Sequence, residues 1–240
     1  MVEESPSTNA EVARRARAGE PPGLVVVAEH QTAGRGRLDR TWTTPPRVAL
    51  TFSLLVSPDP VPPARWPWLP LLTGLAVTTA VRRTAGVDAR LKWPNDVLVG
   101  TRKVAGILVE LVDRPGGGPL AVVGTGLNVS TGRDELPVET ATSLALEGAA
   151  SLDRSALLAD VLAAFTGLVE PWRASGGGGL LPAYREACST LGRAVRVQLP
   201  GGDPLEGQAV DVDDEGRLLV DDGRRVHVLG AGDVVHVRPA

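Results

Sequence analysis

Lysine and asparagine are scarce in this 240-residue chain, and most of them fall in one segment. Of its 25 lysine and arginine residues, only Lys92 and Lys103 are lysines, and Asn95 and Asn128 are two of its three asparagines. Lysine places a compact charge against one phosphate or carboxylate oxygen, whereas arginine presents a planar fork, so the two are not interchangeable in a tight site. The segment between residues 92 and 128 is therefore a candidate anion-binding site.

The run LKWPNDVL at positions 91–98 brings several chemical groups together. Pro94 disfavours helix at the residue before it, so Lys92, Asn95 and Asp96 emerge where a turn enters a strand. An amide can contact a base, a carboxylate can hold Mg²⁺, and a lysine can contact phosphate oxygens. The run predicts a nucleotide and metal site; the alternative is a tight turn with a packed tryptophan and a surface ion pair.

A second cationic motif lies earlier in the chain, directly after an apolar strand. Gly34, Arg35, Gly36 and Arg37 are followed by Arg40, so permissive glycines alternate with guanidinium groups. Such a backbone can fold closely around an anion. The position after a buried strand favours a binding loop, because rigid strands commonly carry such loops at their ends. A solvated basic loop or a nucleic-acid-binding segment is the alternative.

Two glycine-containing strands complete the set of motifs. In residues 102–110, Lys103 precedes Gly106, and a glycine inside a strand usually marks the close approach of a ligand or of another backbone. In residues 122–129, two further glycines precede Asn128, a polar group at the strand end. We expect Lys103 to meet a bound ligand, while the second segment, taken alone, also fits a plain strand and turn.

Apolar periodicity predicts the elements that position these motifs. Helices are predicted at 10–17, 68–84, 153–172 and 180–191, with Ser7, Thr8 and Asn9 as capping residues before the first. Strands are predicted at 23–28, 48–56, 96–99, 103–112 and 120–123, and residues 31–42 are predicted to be a long loop.

The pattern of apolar and turn-forming residues changes near residue 193. Five short β-rich runs with turn signals between them predict a small separate barrel. They lie at 195–199, 207–212, 217–220, 225–229 and 234–237. We therefore predict two domains, residues 1–191 and residues 192–240, and expect the second to help close the nucleotide side of the site.

Composition excludes several classes of protein. With 43% hydrophobic and 22% charged residues the chain is of ordinary globular type, and its net charge of −3 gives no global electrostatic case for binding nucleic acid or an anionic membrane. The apolar runs are too short to span a bilayer and no signal peptide is evident, so we expect a cytoplasmic protein. Cys188, alone, cannot form an internal disulfide.

The motifs resemble, in order and spacing, those of the biotin protein ligases of bacteria. The resemblance rests on residues 34–42, 92–96, 103–110 and 124–128, with Ser7, Thr8 and Asn9 matching the family's N-terminal signature. It covers essentially the whole chain. It implies an α+β (α/β) catalytic domain, with a mixed β-sheet flanked by helices, followed by a small SH3-like β-barrel.

The resemblance also implies an ATP-dependent, two-step reaction that needs Mg²⁺. The carboxylate of biotin would attack the α-phosphate of ATP to give biotinyl-5′-AMP and pyrophosphate. A lysine of the biotin carboxyl carrier protein or domain of an acyl-CoA carboxylase would then take the acyl group. We expect no DNA partner, no membrane, and a monomer or weak homodimer. The residues themselves fit this chemistry, because joining two anions requires fixed cations.

The resemblance assigns roles to individual residues. Those expected at biotin are Ser7, Thr8, Asn9, Gln31, Gly34, Arg35, Gly36, Arg37, Lys103 and Gly106. Those expected at ATP are Arg37, Arg40, Trp42, Lys92, Asn95, Lys103 and Asn128, with Asp96 as the metal ligand. The catalytic residues would be Lys103, Arg37 and Arg40, and the loop from 132 to 144 would close over adenine.

Two departures from the family pattern have expected consequences. Leu38 and Asp39 replace the usual basic residue and glycine, and an Asp39–Arg40 pair would alter the rate of loop closure without abolishing activity. Some relatives carry an N-terminal winged helix-turn-helix and repress transcription. Here Ser7 arrives within seven residues of the start, so a repressor role is not expected.

Two alternative functions compete with a biotin ligase. A lipoate or octanoate carrier ligase would share the catalytic fold and also modify a carrier lysine. A non-enzymatic anion- or nucleic-acid-binding protein would use the basic loop and the barrel. Against the latter stand the acidic net charge and an aromatic content of 3%, because single-strand binders need stacking platforms.

Overall fold

The computed structural model describes residues 1–38, 40–114, 116–199 and 202–237. The strands are β1 (Val2–Ser5), β2 (Val25–Gln31), β3 (Ala49–Val56), β4 (Ala89–Lys92), β5 (Asp96–Val99), β6 (Arg102–Val112), β7 (Leu120–Asn128), β8 (Ala194–Gln198), β9 (Leu205–Val212), β10 (Leu218–Asp221), β11 (Val226–Leu229) and β12 (Asp233–His236). The α-helices are α1 (Thr8–Arg17), α2 (Trp68–Ala80), α3 (Arg154–Ser175) and α4 (Leu181–Ala187).

Seven strands form the large sheet, in the order β1-β2-β3-β7-β6-β5-β4. Only the β1–β2 pairing is parallel within the described chain, so the sheet is mixed. The apolar core lies against one face, where α2 and α3 pack. The opposite face carries α1. The predicted mixed sheet with flanking helices is confirmed.

The first helix shows how capping residues place a site. It begins at Thr8, two residues earlier than predicted, because Ser7 adopts an extended conformation and its Oγ accepts a hydrogen bond from the Ala10 N–H at 3.4 Å. Val12 and Ala16 are fully buried against the sheet. Packing of this apolar stripe holds the polar first turn of α1 over the sheet.

The C-terminal strands form a separate antiparallel sheet in the order β11-β10-β9-β8-β12, which agrees with the predicted β-rich C-terminal unit. Alternate side chains such as Val195 and Val197 join the same apolar core as the large sheet. Two buried indoles also connect the sheets. Trp93 Nε1 donates to the Gly216 carbonyl at 3.0 Å, and Trp68 Nε1 donates to the Asp214 carbonyl at 2.8 Å. The domain boundary at 191/192 stays a prediction.

Several predicted boundaries differ from the structure. The strands β1 and β4 were not predicted, because their sequences VEES and ARLK contain too few apolar residues to indicate a strand. β7 continues to Asn128, beyond the predicted 120–123, and α4 ends at Ala187 rather than 191. By length and composition α3 could cross a membrane. Its face formed by Leu157, Val161, Phe165, Val169 and Trp172 is buried in the core.

Candidate active site

A pocket opens on the sheet face that α1 covers only in part. Beyond the N-terminus of α1, this face continues through Gly106 of β6, Gly126 of β7 and Thr51 of β3, which are paired in register across the three strands. Two of these three positions lack a side chain. The missing volume leaves a groove across the middle of the sheet, with the first turn of α1 at one side.

The structure brings most of the predicted site residues to this pocket. Those in its lining are Ser7, Thr8, Asn9, Gln31, Arg35, Gly36, Arg37, Arg40, Trp42, Asn95, Asp96, Lys103 and Gly106. They come from segments as far apart as residues 7 and 106. The fold therefore assembles the separate sequence motifs into one site.

One side of the pocket is a cluster of buried neutral groups, Thr8, Asn9, Gln31 and Ser53, which we call the polar end. The Thr8 N–H donates to Gln31 Oε1 at 2.7 Å, and the Thr8 hydroxyl oxygen lies 3.0 Å from the same Gln31 oxygen. Ser53 Oγ lies 2.6 Å from Asn9 Oδ1 and 2.7 Å from Thr8 Oγ1. Because Gln31 Oε1 is occupied, Gln31 offers its Nε2 donors to a ligand.

Trp42 forms the floor of the pocket. A Cβ placed on Gly126 would overlap the Trp42 ring, and one on Gly106 would lie 3.4 Å from Trp42 Cζ3. Gly106 was predicted to admit a ligand or backbone; here it admits the side chains of Trp42 and Lys103 instead. The Trp42 Nε1 is buried without a hydrogen-bond partner, which is unusual for an indole donor.

Lys103 points into the pocket because of an irregularity in β6. Between the pairs Val97–Ala105 and Leu98–Lys103, the β5–β6 register shifts by one residue. Such a bulge changes which face the next side chain occupies. Lys103 Nζ accordingly lies on the pocket side, 3.0 Å from the position of a Cβ on Gly106, and its backbone is held by Thr140 and Thr142.

The opposite side of the pocket carries Arg37, Arg40, Asp96, Lys103 and Asp233, which we call the charged end. Lys103 Nζ lies 2.5 Å from Asp96 Oδ1 and 5.9 Å from the centroid of Trp42, within cation–π range. Arg40 pairs with Asp233, at the start of β12. Lys103 and Arg40 thus each already have a carboxylate partner from the same chain.

Arg37 is the most buried cation of the charged end. Its Nη1 donates to Asn95 Oδ1 at 3.0 Å and its Nη2 to the Gly232 carbonyl at 3.4 Å. Loss of solvation lowers the pKa of Arg37 from its ordinary value, because it outweighs the opposing effect of the nearby Asp233 and Asp96 charges. A buried guanidinium with only neutral partners is suited to receive an anion.

Two groups from the C-terminal sheet respond to these charges. Burial would raise the pKa of Asp233, but the Arg40 ion pair, with Lys92 and Arg37, lowers it instead. Burial and the positive charges of Lys92 and Arg193 lower the pKa of His236 to about 4. The C-terminal sheet therefore contributes charge directly beside the pocket.

Three predicted site residues lie outside the lining. Gly34 is approached by the Trp42 carbonyl and by Gln31 Nε2, so it allows the loop to close on itself. Lys92 Nζ is 3.9 Å from Asp96 Oδ2, behind the charged end. Asn128 is buried, and its Nδ2 donates to the Thr142 carbonyl at 2.9 Å. Its predicted contact with the nucleotide is not supported by this geometry.

The loop predicted at 31–42 has a compact hairpin-like path. Gly36 N–H donates to the Arg40 carbonyl at 2.6 Å, and Arg35 and Thr41 form an isolated antiparallel bridge. Leu38 adopts a positive φ of 54°, a left-handed conformation that leucine rarely takes. The predicted Asp39–Arg40 pair involves a residue outside the described part of the chain, whereas Arg40 is paired with Asp233.

The predicted metal ligand, Asp96, faces the pocket with one other acid nearby, Asp233. Among the described residues no group of three or more His, Cys, Asp or Glu side chains could enclose a metal ion. Mg²⁺ commonly takes one or two carboxylates together with substrate phosphates and water. The residues present therefore fit a Mg²⁺ ion that arrives with a polyphosphate, held by Asp96.

Sequence reasoning missed four groups of the site: Ser53, Glu110, Gly232 and Asp233. Glu110 Oε2 accepts hydrogen bonds from Asn9 Nδ2 at 2.7 Å and from Arg35 Nη2 at 3.0 Å. No local motif surrounds Ser53, Gly232 or Asp233, and Glu110 ends the 103–110 motif without having been assigned a role. The alternation within β6 could have shown that Glu110 shares a face with Gly106, but not that Asn9 lies above it.

Comparisons with known proteins agree with this geometry. Residues 2–128 match the "Biotin/lipoate A/B protein ligase family", and residues 190–237 match the "Biotin protein ligase C terminal domain". The chain is 42% identical to a biotin--[acetyl-CoA-carboxylase] ligase of Mycobacterium tuberculosis, over 99% of this chain and 88% of that protein. It is 30% identical to the bifunctional ligase/repressor BirA of Bacillus subtilis, over 89% of this chain and 66% of that protein.

Solved structures give the same result. The biotin protein ligase of Aquifex aeolicus, in complex with biotin and ATP, superposes with a TM-score of 0.84 at 28% identity, covering 99% of this chain and 97% of that one. The Leishmania major biotin protein ligase, in complex with biotinyl-5-AMP, gives 0.65 at 26% identity, with 99% and 97% coverage. The chain belongs to the biotin protein ligases.

Proposed function

We propose that this enzyme binds biotin against the polar end of the pocket and ATP against the charged end, and joins them beside Lys103. The observation that carries the proposal is the position of the Lys103 ammonium group. It lies in the same pocket as a buried array of neutral hydrogen-bonding groups and as the guanidinium groups of Arg37 and Arg40. An enzyme that activates an acid with ATP needs a neutral hydrogen-bonding surface for the acid and a cationic surface for the phosphates, close enough together for the two substrates to react.

The polar end suits the ureido ring of biotin, which has one carbonyl acceptor and two N–H donors. Gln31 Nε2 is free to donate to the carbonyl, because Gln31 Oε1 is held by Thr8. The oxygens of Thr8 and Ser7 keep lone pairs for the ring N–H groups. The Trp42 ring lies along the floor, where it would contact the apolar chain of the ligand.

The first step is displacement at phosphorus. A carboxylate oxygen of biotin attacks the α-phosphate, the bond from that phosphorus to the bridging oxygen breaks, and pyrophosphate leaves. Lys103 would contact both the carboxylate and the α-phosphate, so that its charge offsets their repulsion. Arg37 and Arg40 then hold phosphate oxygens of ATP in place of their present partners.

Mg²⁺ would neutralise charge on the departing phosphates and would be held by Asp96. We infer that Asp96 would then give up its contact with Lys103 in favour of the metal. That exchange would leave the Lys103 ammonium group free for the reacting oxygens. We infer that arrival of the nucleotide and release of Lys103 are one event.

The second step transfers the acyl group. The neutral ε-amine of the acceptor lysine attacks the biotinyl carbonyl carbon, the bond to the phosphate oxygen breaks, AMP leaves, and the amine loses a proton to solvent. The loop 34–42 covers the pocket and would limit hydrolysis of the mixed anhydride. We propose the biotin carboxyl carrier domain of an acyl-CoA carboxylase as the acceptor, in the cytoplasm, with the enzyme as a monomer or weak homodimer and no DNA partner.

Pyrophosphate release with Mg·ATP tests this proposal, with biotin, lipoate or no acid present. We expect release only with biotin, and biotin then appearing on the lysine of an apo carrier domain by intact mass. Lys103→Ala should abolish both. Arg196→Ala, which removes an exposed ion pair of the C-terminal sheet, is the matched control and should retain both activities.

The other outcomes point elsewhere. Release with lipoate alone would assign the protein to the lipoate branch of the family. If no acid supports pyrophosphate release, the loop 34–42 would be assigned only as an anion-binding surface. Sedimentation of the protein with and without biotinyl-5′-AMP would decide its state of association.

A further inference from the structure

Glu110 is a charged group beside the pocket to which the proposed reaction gives no task. It lies on β6 four residues after Gly106, on the same face of the sheet, and its side chain is 34% exposed. A single carboxylate oxygen, Oε2, accepts from Asn9 Nδ2 at 2.7 Å and from Arg35 Nη2 at 3.0 Å. It thus joins the first turn of α1 to the loop 34–42.

The first of these contacts fixes the orientation of the Asn9 amide. A carboxylate only accepts hydrogen bonds, so it draws Nδ2 of Asn9, which also approaches the Leu108 carbonyl at 3.4 Å. The Oδ1 of Asn9 must then face Ser53, whose Oγ lies 2.6 Å away. Because Oδ1 can only accept, the hydroxyl proton of Ser53 is committed to Asn9.

The assignment of the Ser53 proton to Asn9 also determines which hydrogen bonds Thr8 can make. Ser53 Oγ also lies 2.7 Å from Thr8 Oγ1, and with its own proton used it can only accept there. The Thr8 proton therefore points to Ser53 or to Gln31 Oε1, which is 3.0 Å away. Thr8 is left with a lone pair toward the pocket, and Gln31 with its Nε2 donors. The charge of Glu110 thus sets the donor and acceptor pattern of the polar end.

The second contact ties the loop to the sheet. Arg35 is 51% exposed and its side-chain ion pair, among the described residues, is the one with Glu110. The loop behind it is closed by the Arg35–Thr41 bridge and by the Gly36-to-Arg40 hydrogen bond. Holding Arg35 therefore holds the start of the hairpin-like loop against the polar end.

We propose that Glu110 is a positioning residue for biotin, which orders the polar end through Asn9 and retains the loop over the ligand through Arg35. The inference rests on the proposed binding of biotin at the polar end. It predicts effects on biotin and on the lifetime of bound biotinyl-5′-AMP, but not on ATP, because neither contact of Glu110 reaches the charged end.

The test is steady-state kinetics of Glu110→Ala by biotin-dependent pyrophosphate release. We expect the KM for biotin to rise at least about tenfold, as for loss of a charged hydrogen bond, and the KM for ATP to stay within about twofold. Release of biotinyl-5′-AMP should be faster by a similar factor. Glu170→Ala removes another glutamate that pairs with an arginine, Arg173 at 2.7 Å on α3, and should change neither constant.

Glu110→Gln keeps the size of the side chain and provides a second variant if the alanine protein unfolds. An amide can still accept from Asn9 or Arg35, so we expect a smaller rise, about threefold, in the KM for biotin. Unchanged KM for biotin in both variants, or equal rises for biotin and ATP, would overturn the inference. A wild-type protein without biotin-dependent release would instead refute the proposed function.

Discussion

The two ends of the pocket differ in the charge, the burial and the bonding of their side chains. The polar end consists of neutral groups that are nine-tenths or more buried and joined by short hydrogen bonds, such as Thr8 N–H to Gln31 at 2.7 Å. The charged end consists of partly exposed ions, and all of them except Arg37 are paired with one another, Lys103 with Asp96 and Arg40 with Asp233. One end is already arranged to receive its ligand, and the other must exchange partners.

The difference matches the chemistry of the two substrates. A neutral head group gains little from charge, and selectivity for it requires fixed donors and acceptors that would be left unpaired by the wrong ligand. A polyphosphate brings several negative charges, which can displace a single carboxylate from each cation. Pairing the cations with Asp96 and Asp233 also keeps them ordered before the nucleotide arrives.

The largest effect is expected at Lys103, where the two ends meet. Lys103→Arg keeps the charge but replaces a point charge by a planar fork in a place bounded by Trp42 and Asp96. We expect adenylation to fall about 10²- to 10³-fold, nearly as far as in Lys103→Ala. Single-turnover formation of biotinyl-5′-AMP measures this, and wild-type rates in the arginine variant would show that charge alone is sufficient.

The next effect sharpens the role of the pocket floor. Gly126→Ala places a methyl group into the Trp42 ring, and overpacking of this kind costs about 1–3 kcal/mol. We expect lower Tm and weaker biotin binding by calorimetry. The matched control is Gly167→Ala, on an exposed part of α3 with nothing within 4 Å, which should stabilise the protein by about 0.5–1 kcal/mol. Equal behaviour of the two variants would disprove the close approach.

Asp233→Asn tests partner exchange at the charged end. The amide can still accept from Arg40, but the negative charge that competes with phosphate is removed. We expect the KM for ATP to fall about two- to fivefold and the KM for biotin to stay constant. A rise in the KM for ATP would mean that Asp233 holds Arg40 in place for the phosphates and does not compete with them.

The smallest effect concerns pH and the C-terminal sheet. The pKa of His236 is lowered from 6.5 to about 4, so the folded state prefers the neutral ring while the unfolded chain binds a proton below pH 6.5. The contribution of His236 to the free energy of unfolding is therefore fully present above pH 6.5, and it is lost as the pH falls toward 4. His236→Gln should flatten the Tm profile between about pH 6.5 and about pH 4.5. Identical profiles would show that His236 is not the group responsible.

Residue composition alone predicted the charged end better than the polar end, whose members Thr8, Asn9 and Gln31 were assigned through the family resemblance. Lys103, Arg37 and Asp96 belong to short runs of unusual composition, so their convergence could be expected from motif order. Ser53 and Glu110 lie in ordinary strands, and they reach the site only because Ser53 and Leu108 both pair with Gly124 across the sheet. Such register is a product of the whole sheet, and no local pattern encodes it.

The accuracy of the predicted strands also differs between the two sheets. The five strands of the C-terminal sheet were predicted to within about two residues, because turn signals separate them, whereas β1 and β4 were missed. The floor formed by Trp42 was also missed. Its ring could be assigned to the loop, but its place on Gly126 depends on how the loop 34–42 folds back over β7.

The shifted register in β6 has a consequence for how this enzyme can vary. Lys103 faces the pocket because one extra residue is accommodated between its pairing with Leu98 and that of Ala105 with Val97. If β6 paired without this bulge, Leu98 would pair with Val104, and regular alternation would turn the Lys103 ammonium group toward the face where α2 packs, although every residue of the active site would still be present. Substitutions along β6 can therefore be graded by size and charge, but a change that removed the bulge and kept Val104 would separate the lysine from its chemistry altogether.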